Sequence, residues 1–298
     1  MSAIARRPEA DPLYANAAPE RAAYATGMLL DAQDFVDEQT YHRGRLARAL
    51  ALLGGGGTVA GLEVKYRAAA AQKPEEIEVE PGVAIDALGR LVEIQRPACL
   101  RLAVWFEGER ALDEGDTLRR AALNGLERFV SPRVKAAGGL PARAVVADVY
   151  VRFVACERGL TPSFAAGPFD ALDAVSPSRV RDAYELHLVP RTDGLDDGFS
   201  GLPPRGPDLA AIADLDQRRN ALQDALLAAY PKRNASGALD PPPGHPPELD
   251  TTAVFLARVF IPVGAANPPV RAASEPIVDN YSRRFTPSGP LLARWLGA

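Results

Sequence analysis

Glu38 and His42 are the first side chains whose spacing could do chemistry. They lie four residues apart, so on a helix they share a face and could hold one metal ion between them. A second histidine at that spacing is missing, and His187 and His245 are far off in sequence. A surface or interface pair is the expected role of Glu38 and His42, and no metal site is expected. Asp193, Asp196 and Asp197, in TDGLDDG, have the composition of a calcium loop. The EF-hand register and its terminal bidentate glutamate are absent, so a solvated acidic loop is expected there. The run Gly54, Gly55, Gly56, Gly57 invites a phosphate-loop reading. Such a loop follows a strand, opens a helix and ends in Gly-Lys-Ser/Thr. Here the order is helix, loop, strand, and the next lysine is Lys65. The run reads instead as a helix C-cap and flexible hinge, because glycine adopts positive φ without a Cβ penalty. A dinucleotide fingerprint fails on the same reversal of order.

Nucleophilic chemistry finds no better footing. The chain has no Gly-x-Ser-x-Gly elbow. Its two cysteines, Cys99 and Cys156, are far apart and form no CxxC pair. They are expected to be buried free thiols in a reducing compartment. With 38 acidic residues, chance carboxylate pairs are inevitable and single none out. No enzyme and no cofactor are expected. The net charge of −4, with basic residues spread among acidic ones, argues against a nucleic-acid-binding face. An apolar fraction of 47% argues for a folded chain. No run of about 18 apolar residues occurs, so no membrane-spanning helix is expected. Residues 1–23 are rich in alanine, proline and charge and lack an apolar signal region; they read as an extended arm of a cytoplasmic protein.

The elements that would position these groups give an α+β fold, with an N-terminal helix, a mainly antiparallel sheet and a second helix near 208–230. Asp31 can cap a helix in which Phe35, Leu46, Leu50 and Leu53 share a face, and Gly54–Gly57 end it. Thr58–Val64 and Ile77–Glu80 alternate as strands do, and Val83–Ile85 and Leu91–Ile94 flank a turn at Ala87-Leu88-Gly89. A helix capping a small sheet is expected over residues 24–97. Residues 98–298 form a larger α+β unit whose strands are free to join the same sheet. In it, Ala98–Glu107 reads as a strand and Thr117–Phe129 as helical. Ala144–Ala155 is the clearest strand, apolar on both sides of the pleat and therefore central. Thr161–Pro177 is a Pro/Gly/Ala loop, and Ser178–Val189 resumes the alternation and pairs back. Asp208–Tyr230 carries a helical leucine stripe, Lys232–Leu249 is a proline-rich linker, Val254–Val263 and Ile277-Val278 are strands, and Leu291–Leu296 is a short tail helix.

The segments LLDAQDFVDEQTYHRGRL, LLGGGGTVAGLEV and PGVAIDALGRLVEI resemble an uncharacterised family encoded with phage-tail-like contractile injection systems. Ser176–Pro190 (SPSRVRDAYELHLVP) and Ile277–Leu296 (IVDNYSRRFTPSGPLLARWL) extend the resemblance over nearly the whole chain. Family members often carry a His-Gly-aromatic-Gly turn after the helix; here Gly54 and Gly56 stand in the His and aromatic places. The resemblance implies a structural component near a baseplate or spike, with other particle subunits as partners and a homo-oligomeric arrangement. A glycan- or ligand-binding module attached to such a particle is the alternative, although aromatic residues are only 7% of the chain and do not cluster. The interface candidates are Arg179 and Arg181 at the start of a strand, Arg283 and Arg284 beside Phe285, and Trp295 in the apolar tail. For Arg283 and Arg284 the competing expectation is internal, covering the protein's own sheet.

Overall fold

The computed structural model describes residues 11–14, 20–71, 73–162, 175–192, 209–230, 232–233, 239–241 and 244–296. The fold is α+β, with helices set against mainly antiparallel sheets. The first helix, α1 (Ala32–Leu53), starts as expected from a capping box. Asp31 accepts from Gln33 N and Asp34 N, and Asp34 accepts in return from Asp31 N. Three strands, β1 (Gly57–Gly61), β4 (Gly82–Ile85) and β5 (Leu91–Ile94), form one antiparallel sheet in the order β1-β4-β5. A second sheet has the order β2-β3-β6, from β2 (Val64–Arg67), β3 (Glu76–Val79) and β6 (Ala98–Arg101). Because β6 pairs with β3, strands on either side of residue 97 share a sheet.

The largest sheet is built on β8 (Arg143–Pro162), a 20-residue strand. One edge of β8 pairs with β10 (Val254–Pro262), which in turn pairs with β11 (Ile277–Asp279). Its other edge pairs first with the short β7 (Ala122–Asn124) and then with β9 (Val175–Pro190). Both faces of β8 are covered. Val145, Ala147, Val149 and Val151 join Ile77, Val79, Val92 and Ile94 in the main core. Ala144 and Val146 pack with Phe129, Val134 and Phe260 in a second cluster.

Several expectations are corrected. Thr58–Val64 is two strands, because Gly61 (φ 64°) and Leu62 (φ 57°) both turn left-handed and break the run. The strand expected over Ala98–Glu107 ends at Arg101, and Leu102–Ala111 is helix α2. Leu102 and Phe106, four apart and fully buried, form its inner face, so tertiary burial selects the helical period. The helix expected across Thr117–Phe129 is cut to α3 (Asp116–Ala121), since Ala122–Asn124 gains more by pairing with β8. Between 132 and 137, α4 (Pro132–Ala137) is capped by Ser131. The loop expected at Thr161–Pro177 is narrower, because β8 and β9 remain paired out to Pro162 and Val175. The second long helix, α5, runs Leu215–Ala228, capped by Asp214. The tail helix α6 is Gly289–Leu296.

The apolar stripe of α1 is corrected most sharply. Phe35, Leu46 and Leu53 are exposed, and Ala47 is the buried residue of this helix. The helix instead touches the body at the β4–β5 turn. There Asp86 Oδ1 accepts from Leu88 N and Arg90 N, and Gly89 has φ 89°. A Cβ at Gly89 would lie 1.7 Å from the Ala47 carbonyl oxygen. Gly89→Ala therefore combines left-handed strain with a backbone clash. We expect a loss of at least about 2 kcal/mol, read as a lower urea midpoint at unchanged slope.

Candidate functional site

A cavity of about 710 Å³ opens between the end of α1 and the face of the large sheet that carries Asp148, Tyr150 and Arg258. Strand register explains its polar floor. Arg258 lies directly across from Asp148 on β8 and from Asp279 on β11. Directly opposed residues point to the same face, so one row across three strands alternates Asp, Arg, Asp. Arg258 Nε and Nη2 donate to Asp148 Oδ1 and Oδ2 at 2.7 and 2.9 Å, and Nη1 donates to the Phe129 carbonyl at 3.2 Å. Arg191, just past β9, donates to Asp148 Oδ2 at 2.5 Å. Asp279 accepts from Ser131 N at 2.6 Å, Ser131 Oγ at 2.8 Å and Ser282 Oγ at 2.5 Å. All four ionic side chains are buried. The two aspartates and two arginines balance in charge, which is the condition for keeping them ionised out of water.

The cavity's outer walls are less charged. His245 stands edge-on to Tyr150 with ring centroids 5.7 Å apart. Its Nε2 donates to the Asp250 carbonyl at 2.9 Å, which fixes the tautomer. Burial lowers the His245 pKa, with the Arg191 charge acting the same way and the hydrogen bond to Asp250 opposing it. The imidazole is therefore neutral at neutral pH. Opposite, Gly54–Gly57 form the glycine wall. Gly54 N–H donates to the Leu50 carbonyl and closes α1. Gly55 (φ 71°) lies against the Arg284 guanidinium, and a Cβ at Gly57 (φ 147°) would meet the Arg284 carbonyl at 2.7 Å. Thr58 N donates to Arg284 O and Thr286 N to Thr58 O, so the end of the run is held by the C-terminal segment.

A second buried ionic group ties three segments together. Arg90 Nε donates to Asp86 Oδ2 at 2.6 Å, Nη1 to Asp11 Oδ2 at 3.1 Å and Nη2 to Thr252 Oγ1 at 2.8 Å. Its guanidinium also lies over the Phe153 ring, 4.6 Å from the centroid.

The residues singled out in the sequence do not converge. Glu38 and His42 form the expected surface pair, Oε1 to Nε2 at 2.8 Å. Among the described residues no group of three or more His, Cys, Asp or Glu side chains is placed to hold a metal ion. Asp193, Asp196 and Asp197 lie outside the described residues. Cys99 and Cys156 are free but exposed, not buried, because both fall on outward positions of their strands. Partial desolvation, with Glu76 and Glu78 beside it, pushes the Cys99 thiol up to about 11, which disfavours a thiolate nucleophile. Arg283 is not at the surface. It donates through Nη1 to the Leu62 carbonyl at 2.7 Å and through Nε to the Asn280 carbonyl at 2.9 Å, and burial lowers its pKa to about 10. Arg284 and Phe285 are exposed, as are Arg179 and Arg181 on β9. Trp295 falls in α6, and its side chain lies outside the described residues. Sequence reasoning missed Asp148, Arg191, Arg258, Asp86 and Arg90. The available signal was a charge in the middle of an apolar strand, in AVVADVYV and again in VFLARVFIPV.

No helix among the described residues is long and apolar enough to cross a membrane. No protein-family model matches the chain, and no curated protein does.

Removing the central carboxylate leaves two buried guanidiniums facing a neutral group. Asp148→Asn is expected to cost about 3–5 kcal/mol, measured by urea unfolding. His245 gives a pH dependence of known sign. Its folded pKa lies below the unfolded value, so its stabilising effect is complete above the unfolded pKa and is lost as pH falls through the folded one. The urea midpoint is expected to fall as the pH drops below the ordinary histidine value of about 6.5, and His245→Gln should flatten part of that fall.

Proposed function

We propose that this chain is a non-enzymatic structural subunit of a contractile, phage-tail-like injection particle, in or around its baseplate or spike. It is assembled inside the cell with other subunits and further copies of itself. The observation that carries the assembly role is the outward apolar face of α1. Within the helix Phe35, Leu46 and Leu53 share one side and are exposed, Leu53 to 89%, and Val36 and Leu52 are exposed beside them; Leu29 and Leu30, just before the helix, are exposed too. A lone soluble helix turns such a stripe inward. An outward stripe is a surface awaiting cover, worth roughly 1.5–3 kcal/mol for each large side chain fully buried. The resemblance of residues 29–94 and of the C-terminal segment to the injection-system family supports a contractile particle as the setting. Gly54–Gly57 joins this helix to the body, the place where a hinge would let it meet a neighbour.

A second reading has its own observation. The 710 Å³ cavity, with Tyr150, Phe255, His245 and Arg284 in its walls, has the size and mixed lining of a small-ligand site. It would serve a binding module on the particle. The two readings part on a density gradient of contractile assemblies from the producing cell. As a structural subunit the chain co-sediments with sheath and tube at fixed stoichiometry; a soluble monomer would put the ligand-binding reading first. Phe35→Asp with Leu46→Asp is expected to abolish incorporation while leaving stability within about 0.5 kcal/mol, because both positions are exposed in the free subunit. Normal incorporation of that double variant would remove α1 as the contact.

A further inference from the structure

β8 outruns its sheet. Its pairing with β10 ends at Val151, whereas its pairing with β9 continues to Pro162. From Cys156 outward the two strands form a ribbon about 23 Å long, at about 3.3 Å per residue. Residues 156–159 and 178–182 are exposed.

Register sorts the charges of this ribbon onto opposite faces. Cys156 is opposed to Arg181 and Arg158 to Arg179, so one face carries Arg158, Arg179 and Arg181. Ala155 is opposed to Asp182 and Glu157 to Val180, so the other face carries Glu157 and Asp182. None of these five charges forms an ion pair with another described residue. Arg158 and Arg179 face each other directly, a like-charge pairing that weakens a ribbon unless an anion lies against it. The ribbon thus has a basic face with three exposed arginines under repulsion and an opposite face with two exposed carboxylates.

We propose that the ribbon joins copies of this chain head to tail, the Arg158–Arg179–Arg181 face of one copy resting on the Glu157–Asp182 face of the next. A two-fold pairing of like faces is disfavoured, because it would set three arginines against three or two carboxylates against two. The remaining arrangement is heterologous, and it yields a ring where the rotation closes. The inference deepens the proposed structural role by naming one contact between copies. It needs no particle for its test.

The test uses the purified full-length chain in sedimentation velocity at about 0.05 M and 0.5 M salt. The expected result is self-association at low salt that weakens at least tenfold at high salt, since exposed charge pairs are screened. Arg158→Glu with Arg179→Glu and Arg181→Glu makes both faces acidic; Glu157→Lys with Asp182→Lys makes both basic. Each variant alone is expected to be monomeric, and a one-to-one mixture is expected to regain the wild-type assembly by alternation. A wild-type chain that stays monomeric at about 100 μM in low salt overturns the proposal, as do variants that associate like wild type or a mixture that fails to recover. Capture of an acidic partner protein by a monomeric wild-type chain overturns it too. Should a variant not fold, the salt response of the wild-type chain still decides. Failure here is separable from failure of the particle reading. Charge-swapped chains that still enter the particle fraction would remove the ribbon contact and keep the particle. A chain that self-associates through the ribbon but never co-sediments would do the reverse.

Discussion

The interior of this protein depends on Arg258, the largest of its fully buried side chains. A guanidinium cannot be deprotonated to escape burial, so every neighbour of Arg258 has to answer its charge. Asp148 does so bidentately from β8, Asp279 stands on its other flank in β11, and the Phe129 carbonyl takes a third N–H. Strand order and register follow from this. A slip of one residue between β8 and β10 would set Arg258 against Ala147 or Val149 and leave both charges without geometry. An apolar sheet of similar volume would be as stable or more so, and what the ionic row adds is a single permitted alignment.

Two further arginines repeat the device at longer range. Arg90 gathers the N-terminal Asp11, its own turn residue Asp86 and Thr252 around one guanidinium. Arg283 fastens the C-terminal segment to the left-handed bend at Gly61-Leu62, where the Leu62 carbonyl would otherwise be buried without a donor. Arg90 places its charge where three chain segments meet and Arg283 where two do, so these segments rest on the sheets through hydrogen bonds of fixed direction. This leaves the apolar side chains of α1 free to face outward.

Much of the fold was legible because local chemistry and tertiary context agree. Asp31 caps α1, the β4–β5 turn forms at Asp86–Gly89, and β8 reads as central because both its faces are apolar. Where they disagree, the sequence alone misleads. In LRLAVWFE the apolar spacing fits both a pleat and the Leu102–Phe106 pair of a helix, and only the core decides. The Thr161–Pro177 segment has loop composition, yet β8 and β9 shorten it from both ends, because backbone N–H and C=O groups pair across strands whatever the side chain, proline's missing N–H apart. Arg283 reads in the sequence either as an interface residue beside Phe285 or as cover for the protein's own sheet, and the partner that settles it as internal, the Leu62 carbonyl, lies 221 positions away. Separation in sequence hid the cavity floor as well: Asp148 and Arg258, 110 positions apart, are each conspicuous in an apolar strand, but nothing local says that the two strands are neighbours. For the candidate surfaces, sequence found Arg179 and Arg181 without the register that sets Arg158 beside them.

The fastening of residues 280–286 onto β1 and β2 has a consequence for how the chain is made. Asn280 supplies both hydrogen bonds to the backbone of Val64, 216 positions earlier, and Thr58 exchanges backbone bonds with Arg284 and Thr286. During synthesis those partners emerge more than 200 residues after the strands they close. The first two sheets can gather early, but their edges stay open until residues 280–286 have emerged. A fold closed by a segment this far downstream is completed late. In the interval, the exposed apolar side chains of α1 and the open β1 edge are presented together, so the nascent chain shows more adhesive surface than the finished fold.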